Sequence, residues 1–385
     1  MQLFTVSRVA CAGILCVTPL AAQAAGNAVS SAFNPAISVI LSGTYAQFSN
    51  DPANYTIPGF ALGDGVGPGD RGFGLGESEL SIAANIDDQF YGRFTTSFDA
   101  NNNVSVEEAF LETVGLGQGI TIKGGRFLSG IGYLNNKHSH TWDFVDQPLV
   151  YRAMLADQLK DDGVQVRWLA PTDMYMEFGA EALRGKNFPA GGDANQGRGT
   201  TTVFVHFGDD FNESNSWSAG LSFVDAKAND RITYPGAETF TGSSKLGILS
   251  FVWKWAPNGN MLQHNFTLQS EYFRRSEDGT YQASAYDANQ SGYYVQGVYQ
   301  FMQRWRVGLR YDHLHAEDPG AAFAGTALAT QGHDPHRWST MVDFSRTEFS
   351  RLRVQYNQDD SGPQTDHQWY FQYIMAMGAH GAHGY

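Results

Sequence analysis

Histidines recur at short spacing in three places along this chain of 385 residues. They form the pairs His138 and His140, His313 and His315, and His333 and His336. Residues two apart on an extended strand point to the same face, so each of the first two pairs can bind Zn²⁺ with one or two further nitrogen or oxygen ligands. The alternative is that these histidines are ordinary polar residues at the rim of the folded protein. Histidine pairs that are far apart in sequence are only a weak indication of a zinc site. A bound or transported zinc ion is therefore one hypothesis, and no resident cofactor is expected.

A hydrolytic site is a second chemistry to consider in the same region. Ser139 lies between His138 and His140, but neighbouring residues on an extended chain point to opposite sides. No other segment resembles a nucleophile motif with its base and oxyanion donors. The sequence therefore predicts that the protein is not an enzyme.

Basic residues alternate with apolar residues along two late segments. From Trp305 to Tyr311 the odd positions are apolar and the even positions are basic or glycine, and Leu352 and Val354 alternate with arginines. If these segments enclose a water-filled interior, the charged residues expected at its constriction are Lys123, Asp143, Asp146, Arg306, Arg310, Arg351 and Arg353. Acids that face bases across an opening produce a transverse field, which filters solutes by size and charge. The alternative is that these charges merely pair with one another and with water.

The same alternation recurs in segments of strand length along most of the chain. Strands are predicted at 37–48, 75–86, 89–99, 104–115, 118–127, 162–170, 174–184, 200–208, 216–226, 244–256, 261–274, 291–302, 304–316, 336–346, 348–358 and 366–378. Lipid offers no hydrogen-bond partners, so a chain crosses it as helices or as a closed sheet of strands of about 9–11 residues. The pattern predicts an all-β fold, a transmembrane antiparallel β-barrel of about 16 strands. The segment at 104–115 does not alternate clearly between apolar and polar residues, so its assignment as a strand is ambiguous by this test.

The connections between these strands alternate in length. Short ones include Asp87-Asp88 and Leu116-Gly117. The long ones, mostly rich in Gly, Asp, Asn and Pro, are expected at 49–74, 128–161, 185–199, 227–243, 275–290, 317–335 and 359–365. A membrane barrel with tight turns at one rim and loops at the other shows this alternation. A soluble β-sandwich or propeller would also contain many short strands, but the chain has no blade-length repeat.

Composition agrees with a barrel. Aromatic residues make up 14% of the chain and 43 residues are glycine, which suits a polar-lined barrel with aromatic girdles. The net charge of −14 argues against nucleic acid as a partner, because nucleic-acid binding needs a basic stripe.

The N-terminal residues have the pattern of a secretory signal. Arg8, an apolar stretch at 9–17 and the small residues Ala22-Gln23-Ala24 predict cleavage of this segment. Its removal takes away Cys11 and Cys16, the two cysteines of the chain. The predicted layout is a signal peptide at 1–24 and a single barrel at 25–385, with strands over 37–378 and a tail at 379–385. No later segment approaches 18 consecutive apolar residues, so helical spans are not expected.

A short motif marks the start of the longest connection. Gly125-Arg126-Phe127 ends a predicted strand, and the loop then runs through Trp142-Asp143-Phe144. This arrangement and the order of elements along nearly the whole chain resemble the sixteen-stranded bacterial outer-membrane porins, and among them the phosphate-selective porins. The resemblance implies that residues 128–161 fold into the lumen as a constriction loop. It also implies passive diffusion of small hydrophilic solutes or ions, a homotrimer, outer-membrane lipid and lipopolysaccharide as surroundings, and insertion by the barrel assembly machinery.

The C-terminal tail repeats Gly-Ala-His at 378–380 and 381–383. It is similar to the tails of porin-like proteins described as zinc-regulated, which implies zinc uptake through the loop histidines as an alternative function. The resemblance to phosphate-selective porins implies a second alternative, an anion-selective channel. Barrels of this class end on an aromatic residue, and Tyr385 or the segment at 369–373 is expected to serve as this assembly signal.

Overall fold

The computed structural model describes residues 35–99, 103–192, 195, 197–234 and 238–378. The predicted signal peptide at 1–24 and the tail at 379–385 lie outside the described residues. The described part forms one antiparallel sheet in which the last strand pairs with the first. Its strands are β1 (Ala36–Phe48), β2 (Gly72–Leu75), β3 (Ser78–Asn85), β4 (Phe90–Phe98), β5 (Val104–Thr113), β6 (Ile120–Leu128), β7 (Lys160–Leu169), β8 (Tyr175–Leu183), β9 (Thr200–Asn212), β10 (Asn215–Thr233), β11 (Glu238–Trp255), β12 (Asn265–Tyr281), β13 (Ser284–Met302), β14 (Trp305–Ala316), β15 (His336–Thr347), β16 (Ser350–Asp360) and β17 (Asp366–Gly378).

The 17 strand segments occupy sixteen positions in the wall, because β2 and β3 share one position. Both pair with β1: Leu75 of β2 lies opposite Gly43, and Glu79 of β3 lies opposite Ile40. The sheet closes through eleven residue pairs between β1 and β17. The predicted sixteen-stranded antiparallel barrel is confirmed.

The two faces of the wall differ in polarity. In β14, Trp305, Val307 and Leu309 point outwards, whereas Arg310 and Asp312 point inwards and are at most 1% exposed. Outward apolar residues suit hydrocarbon, and inward polar residues suit a wet or hydrogen-bonded interior. The alternation predicted for this strand is present, and it places the charges of the chain inside the barrel.

Two connections that the sequence predicts as long loops are strands instead. Loops are predicted at 227–243 and 275–290, but β10 to β13 extend into both ranges as long hairpins, with 17 to 19 residues in each strand. Cross-strand pairs such as Phe240 with Tyr281 continue the ladder there. The Gly- and Asp-rich composition favours loops locally, but pairing with neighbouring strands outweighs local preference in a sheet. These two loop predictions are wrong.

A β-bulge interrupts the pairing of β4 with β5. Thr95 lies opposite Glu108 and Thr96 lies opposite Val106, which leaves Glu107 as the extra residue. A bulge shifts the alternation of side chains by one position. Glu107 and Glu108 are accordingly both buried, with 8% and 6% exposed. The bulge explains why β5 does not alternate cleanly in the sequence.

The connection between β6 and β7 carries most of the non-strand structure of the interior. Residues 129–159 form this connection, which we call the inward loop. It contains the α-helix α1 (Leu149–Leu155) and a 3₁₀ turn at Ser139–Thr141. Among the described residues, no helix is long and apolar enough to cross a membrane.

Two neighbouring glycines of β6 provide a test of the wall geometry. Gly125 has a φ of +127°, and a Cβ there would collide with the Ala109 carbonyl oxygen and lie 2.8 Å from the Phe110 Cα. Gly124 has open space around the same position. We expect Gly125→Ala to lower the free energy of unfolding by about 1–3 kcal/mol through backbone strain. Gly124→Ala should change it little, and urea unfolding of the refolded barrel measures both. Equal effects would contradict the strain at Gly125.

Candidate channel interior

The inward loop fills part of the barrel with apolar residues. All seven residues of α1 are buried, and the helix packs against β12, β13 and β14. Ile57, Phe60 and Leu62, from the connection between β1 and β2, join the same apolar cluster and are at most 2% exposed. Burying a side chain of this size stabilises the fold by roughly 1.5–3 kcal/mol. The predicted loop at 128–161 does fold into the lumen, and it brings an apolar core with it.

The Asp146 carboxylate attaches the inward loop to the wall. It accepts hydrogen bonds from Arg310 and Arg337, each over 2.7 Å, and from Arg152 of α1 over 3.2 Å. Asp312 of β14 binds the same two wall arginines over 3.0 Å and 3.3 Å. Burial alone would raise the pKa of the Asp146 carboxyl, but the three arginines hold this pKa well below its ordinary value. The loop position is therefore fixed, because removing one member would leave buried charges unpaired.

Asp143 makes a second and more exposed attachment. Its carboxylate accepts a hydrogen bond from Arg306 over 2.8 Å, and Arg306 also binds Asp343 of β15 over 2.6 Å. The side chains of Asp143 and Arg306 remain 21% exposed, whereas Asp343 is fully buried. Arg306 would thus keep one partner if Asp143 were lost.

Two further wall arginines hold the backbone of the inward loop. Arg351 and Arg353 both donate to the Trp142 carbonyl oxygen, over 3.2 Å and 2.9 Å. Six of the seven residues predicted at the constriction therefore meet in one region, where loop acids and carbonyls contact wall arginines. The predicted transverse field requires a gap between acid and base, but Asp146 is in direct contact with Arg310.

Lys123, the seventh residue of the predicted set, lies apart from this group. Its Nζ is 3.4 Å from a Glu112 oxygen and 4.4 Å from the centre of the Phe110 ring. Arg167 joins Glu112 to Glu177 over 2.9 Å and 3.4 Å. These side chains make a partly exposed ladder of mixed charge along the inner face of β5 to β8.

A cavity of about 720 Å³ lies between the inward loop and the short turns of the barrel. The carboxylates that line it are Asp143, Asp146 and Glu348, and the first two are paired with arginines. Seven basic residues line it: Lys137, Lys254, Arg304, Arg306, Arg310, Arg346 and Arg351. Burial lowers the pKa of Lys137, and Asp143 opposes this shift. The cavity is richer in basic than in acidic groups, although the whole chain carries a charge of −14.

His138 and His140 of the inward loop lie inside the barrel, beside carboxylates of β3 and β5. His138 Nδ1 is 3.2 Å from Glu107 Oε2, and its Nε2 is 3.0 Å from Glu108 Oε2. His140 Nδ1 is 2.9 Å from Glu79 Oε1. Burial alone would lower the pKa of His138, but hydrogen bonds to Glu107 and Glu108 raise this pKa well above its ordinary value. The first histidine pair is therefore part of an internal cluster.

The other four histidines of the predicted ligand set lie on the outer face of the wall or in the loop beside it. His313 pairs with His336 in the β14–β15 ladder, and both alternate with inward residues of their strands. His315 Nδ1 is 2.8 Å from Asp334, and the His333 and His336 rings are 6.3 Å apart. The structure thus separates the six predicted histidine ligands into an internal group and an external group.

The sequence did not predict five residues of these sites, which are Glu79, Glu107, Arg152, Lys254 and Arg337. Arg337 could have been predicted to point inwards, because it is the first of the alternate inward-facing residues of β15. The bulge hides Glu107, and Arg152 lies on a short helix that no strand pattern predicts.

Replacing Asp146 with Asn tests the attachment of the inward loop. We expect a loss of about 3–5 kcal/mol in the free energy of unfolding, because three buried arginines lose their shared anion. The matched control Asp143→Asn should cost about 0–1 kcal/mol, since its pair is partly exposed. Urea titrations of the refolded protein measure both values.

The contribution of Asp146 to the free energy of unfolding depends on pH. The pKa of Asp146 is depressed in the folded state. Its stabilising effect is therefore complete above the ordinary carboxyl pKa of about 3.9 and decreases as the pH falls below that value. A cost for Asp146→Asn no larger than that for Asp143→Asn at neutral pH would contradict the anchoring role.

Solved structures with the same fold are outer-membrane proteins, and no family model matches the chain. OmpT of Vibrio cholerae, in a trimer form, is 10% identical with a TM-score of 0.56, covering 89% of this chain and 99% of that one. An anion-selective porin from Comamonas acidovorans is 11% identical with a TM-score of 0.56, and the coverage is 89% and 99%. OmpF of Salmonella typhi, in complex with daunomycin, is 12% identical with a TM-score of 0.56, covering 89% and 97%. The chain therefore has the fold of the outer-membrane porins.

A protein sequence shows a closer relationship. An uncharacterized protein of Aquifex aeolicus (strain VF5) is 32% identical over 337 residues, which cover 81% of this chain and 70% of the relative. Identity at this level over most of both chains exceeds the 10–12% seen with the solved porins. The chain belongs to the same protein family as this Aquifex aeolicus protein.

Proposed function

We propose that this protein is a porin of the bacterial outer membrane that lets small hydrophilic solutes or ions diffuse passively. The observation that carries the proposal is the 720 Å³ cavity inside a closed barrel, bounded by the inward loop and lined by charged residues. A barrel with an apolar outer face and a polar interior suits a membrane channel. The solute gradient supplies the energy, so neither a cofactor nor an enzymatic step is required.

The lining of the cavity favours anions among these solutes. Lys137 and Lys254 project charge into it, and Arg351 adds a third positive group near the short turns. Rings of basic side chains select anions in pores. Phosphate is one anion of suitable size and charge, as in the phosphate-selective porins that the sequence resembles. The Comamonas protein with the same fold is itself described as anion-selective.

The apolar core limits how wide the passage can be. The side chains of α1 and of Phe60 occupy space that an open barrel would leave to water. The charged ladder on β5 to β8 is a partly exposed polar part of the interior, where Arg167 is 28% exposed. We therefore expect a smaller conductance than that of an unfilled barrel with the same number of strands.

We also propose that the protein forms a homotrimer within outer-membrane lipid and lipopolysaccharide after insertion by the barrel assembly machinery. OmpT, which shares the fold, has been solved in a trimer form. Zinc uptake along converging loop histidines receives less support. His138 lies inside the barrel and His313 points outwards, so they do not line one path.

Ion selectivity in a planar bilayer tests the proposed function. We expect the refolded protein to conduct and its reversal potential in a KCl gradient to indicate anion preference. Lys137→Gln combined with Lys254→Gln should lower the anion-to-cation permeability ratio roughly two- to tenfold, because two charges near the path are removed.

The matched control removes two lysines outside the cavity. Lys227 and Lys245 are exposed on β10 and β11. Lys227→Gln combined with Lys245→Gln should leave the permeability ratio unchanged. Cation preference in the unmodified protein would contradict the anion proposal, and the absence of any conductance would contradict the channel itself.

A further inference from the structure

A cluster of carboxylates and imidazoles joins the inward loop to strands β3 and β5 of the wall. It consists of Glu79, Glu107, Glu108, His138 and His140, which we call the Glu79 cluster. Besides its contact with Glu107, His138 Nδ1 lies 3.4 Å from Glu79 Oε2. One ligand atom each from Glu79, Glu107 and His138 lie within 4.8 Å of one another. The porin function proposed above makes no use of this cluster.

Three separate elements of the chain build the Glu79 cluster. β3 supplies Glu79, and the bulge in β5 turns both Glu107 and its neighbour Glu108 inwards. The 3₁₀ turn of the inward loop supplies His140, with His138 as the residue before the turn. Bulges are enriched beside functional sites, where they redirect a side chain. Without this bulge, two consecutive glutamates could not point to the same side of the wall.

Two basic groups and a further carboxyl group border the Glu79 cluster. Two basic groups pair with it: Lys160 lies 3.5 Å from Glu107, and Arg93 lies 3.5 Å from Glu108. Glu77 forms a hydrogen bond with Glu107, which requires one proton between these two carboxyl groups. With neutral imidazoles, the three carboxylates of the cluster outnumber the two bases by one charge. Burying uncompensated charge is costly, and either a second proton on His138 or a bound cation supplies the missing positive charge.

We propose that Glu79, Glu107 and His138 bind one divalent transition-metal ion of the Zn²⁺ type. Ligands bonded at about 2.0–2.1 Å to a tetrahedral ion lie about 3.3–3.4 Å apart. His138 Nδ1 lies 3.2 Å and 3.4 Å from the two carboxylate oxygens, close to this spacing. One imidazole nitrogen with two carboxylate oxygens suits Zn²⁺ better than Mg²⁺ or Ca²⁺, which prefer oxygen ligands alone.

The remaining members of the cluster orient these ligands. Glu108 accepts a hydrogen bond from His138 Nε2, which leaves Nδ1 as the metal-binding nitrogen. His140 Nδ1 contacts the second oxygen of Glu79. A carboxylate behind a ligating histidine is a common arrangement in zinc sites. His138 and His140 also border the large cavity, from which water can supply the fourth ligand.

Isothermal titration calorimetry of the refolded full-length protein with Zn²⁺ tests the proposal independently of conductance. The test variants are His138→Gln and Glu107→Gln, which keep side chains of similar size. The double variant His313→Gln with His336→Gln is the matched control, because it removes two histidines from the outer face. Circular dichroism and heat-dependent gel mobility check that each variant forms a barrel.

We expect the unmodified protein to bind one Zn²⁺ per chain that both test variants lose and the control variant keeps. Co²⁺ in place of Zn²⁺ should give a visible absorption band that depends on His138 in the same way. Equal Zn²⁺ stoichiometry in the unmodified protein and in a folded test variant would overturn the proposal. So would a lack of Zn²⁺ binding in the unmodified protein, which would leave the cluster as a hydrogen-bonded group around a protonated His138. If one test variant does not fold, the other one decides.

Discussion

Closure of the sheet through the β1–β17 ladder is the constraint on which the rest of the structure depends. Lipid cannot satisfy backbone hydrogen bonds, so each strand needs a partner on both sides. The eleven residue pairs from Ser38 opposite Gly378 to Phe48 opposite Gln368 provide the last such partner. Once the wall is closed, its inner face encloses a space that alternate residues of every strand must fill. The nature of that filling decides what the barrel can do.

The interior is divided between two kinds of filling. Towards the long connections, α1 packs against Phe60 and its neighbours as in the core of a soluble protein. Towards the short turns, charged and amide side chains surround the cavity. The Asp146 network lies at the boundary and binds the helix to wall arginines of β14 and β15. The same loop thus closes one part of the lumen and shapes the other.

The alternation of apolar and polar residues predicted the strands of the wall, but nothing in the sequence predicted the contacts of the inward loop. Arg310 could be placed inside because its neighbours on β14 alternate without interruption. The inward path of 128–161 followed from a family resemblance. The partners of Asp146 are up to 211 positions away, and only the closed barrel brings them together. The extended hairpin across 227–243 shows the other limit, since cross-strand pairing overrode a composition typical of loops.

The interior charges differ in burial, and therefore in how strongly dissolved salt screens them. Arg310 and Arg337 are at most 1% exposed, whereas Arg306 keeps 21% of its side chain open to the cavity. Dissolved ions screen exposed charges over a Debye length of about 8 Å at physiological ionic strength, but they hardly reach buried pairs. Changes in salt concentration can therefore alter the electric field at the cavity without loosening the loop. At low and at high salt the interior keeps the same shape, but the charge that its exposed groups present to the solution differs.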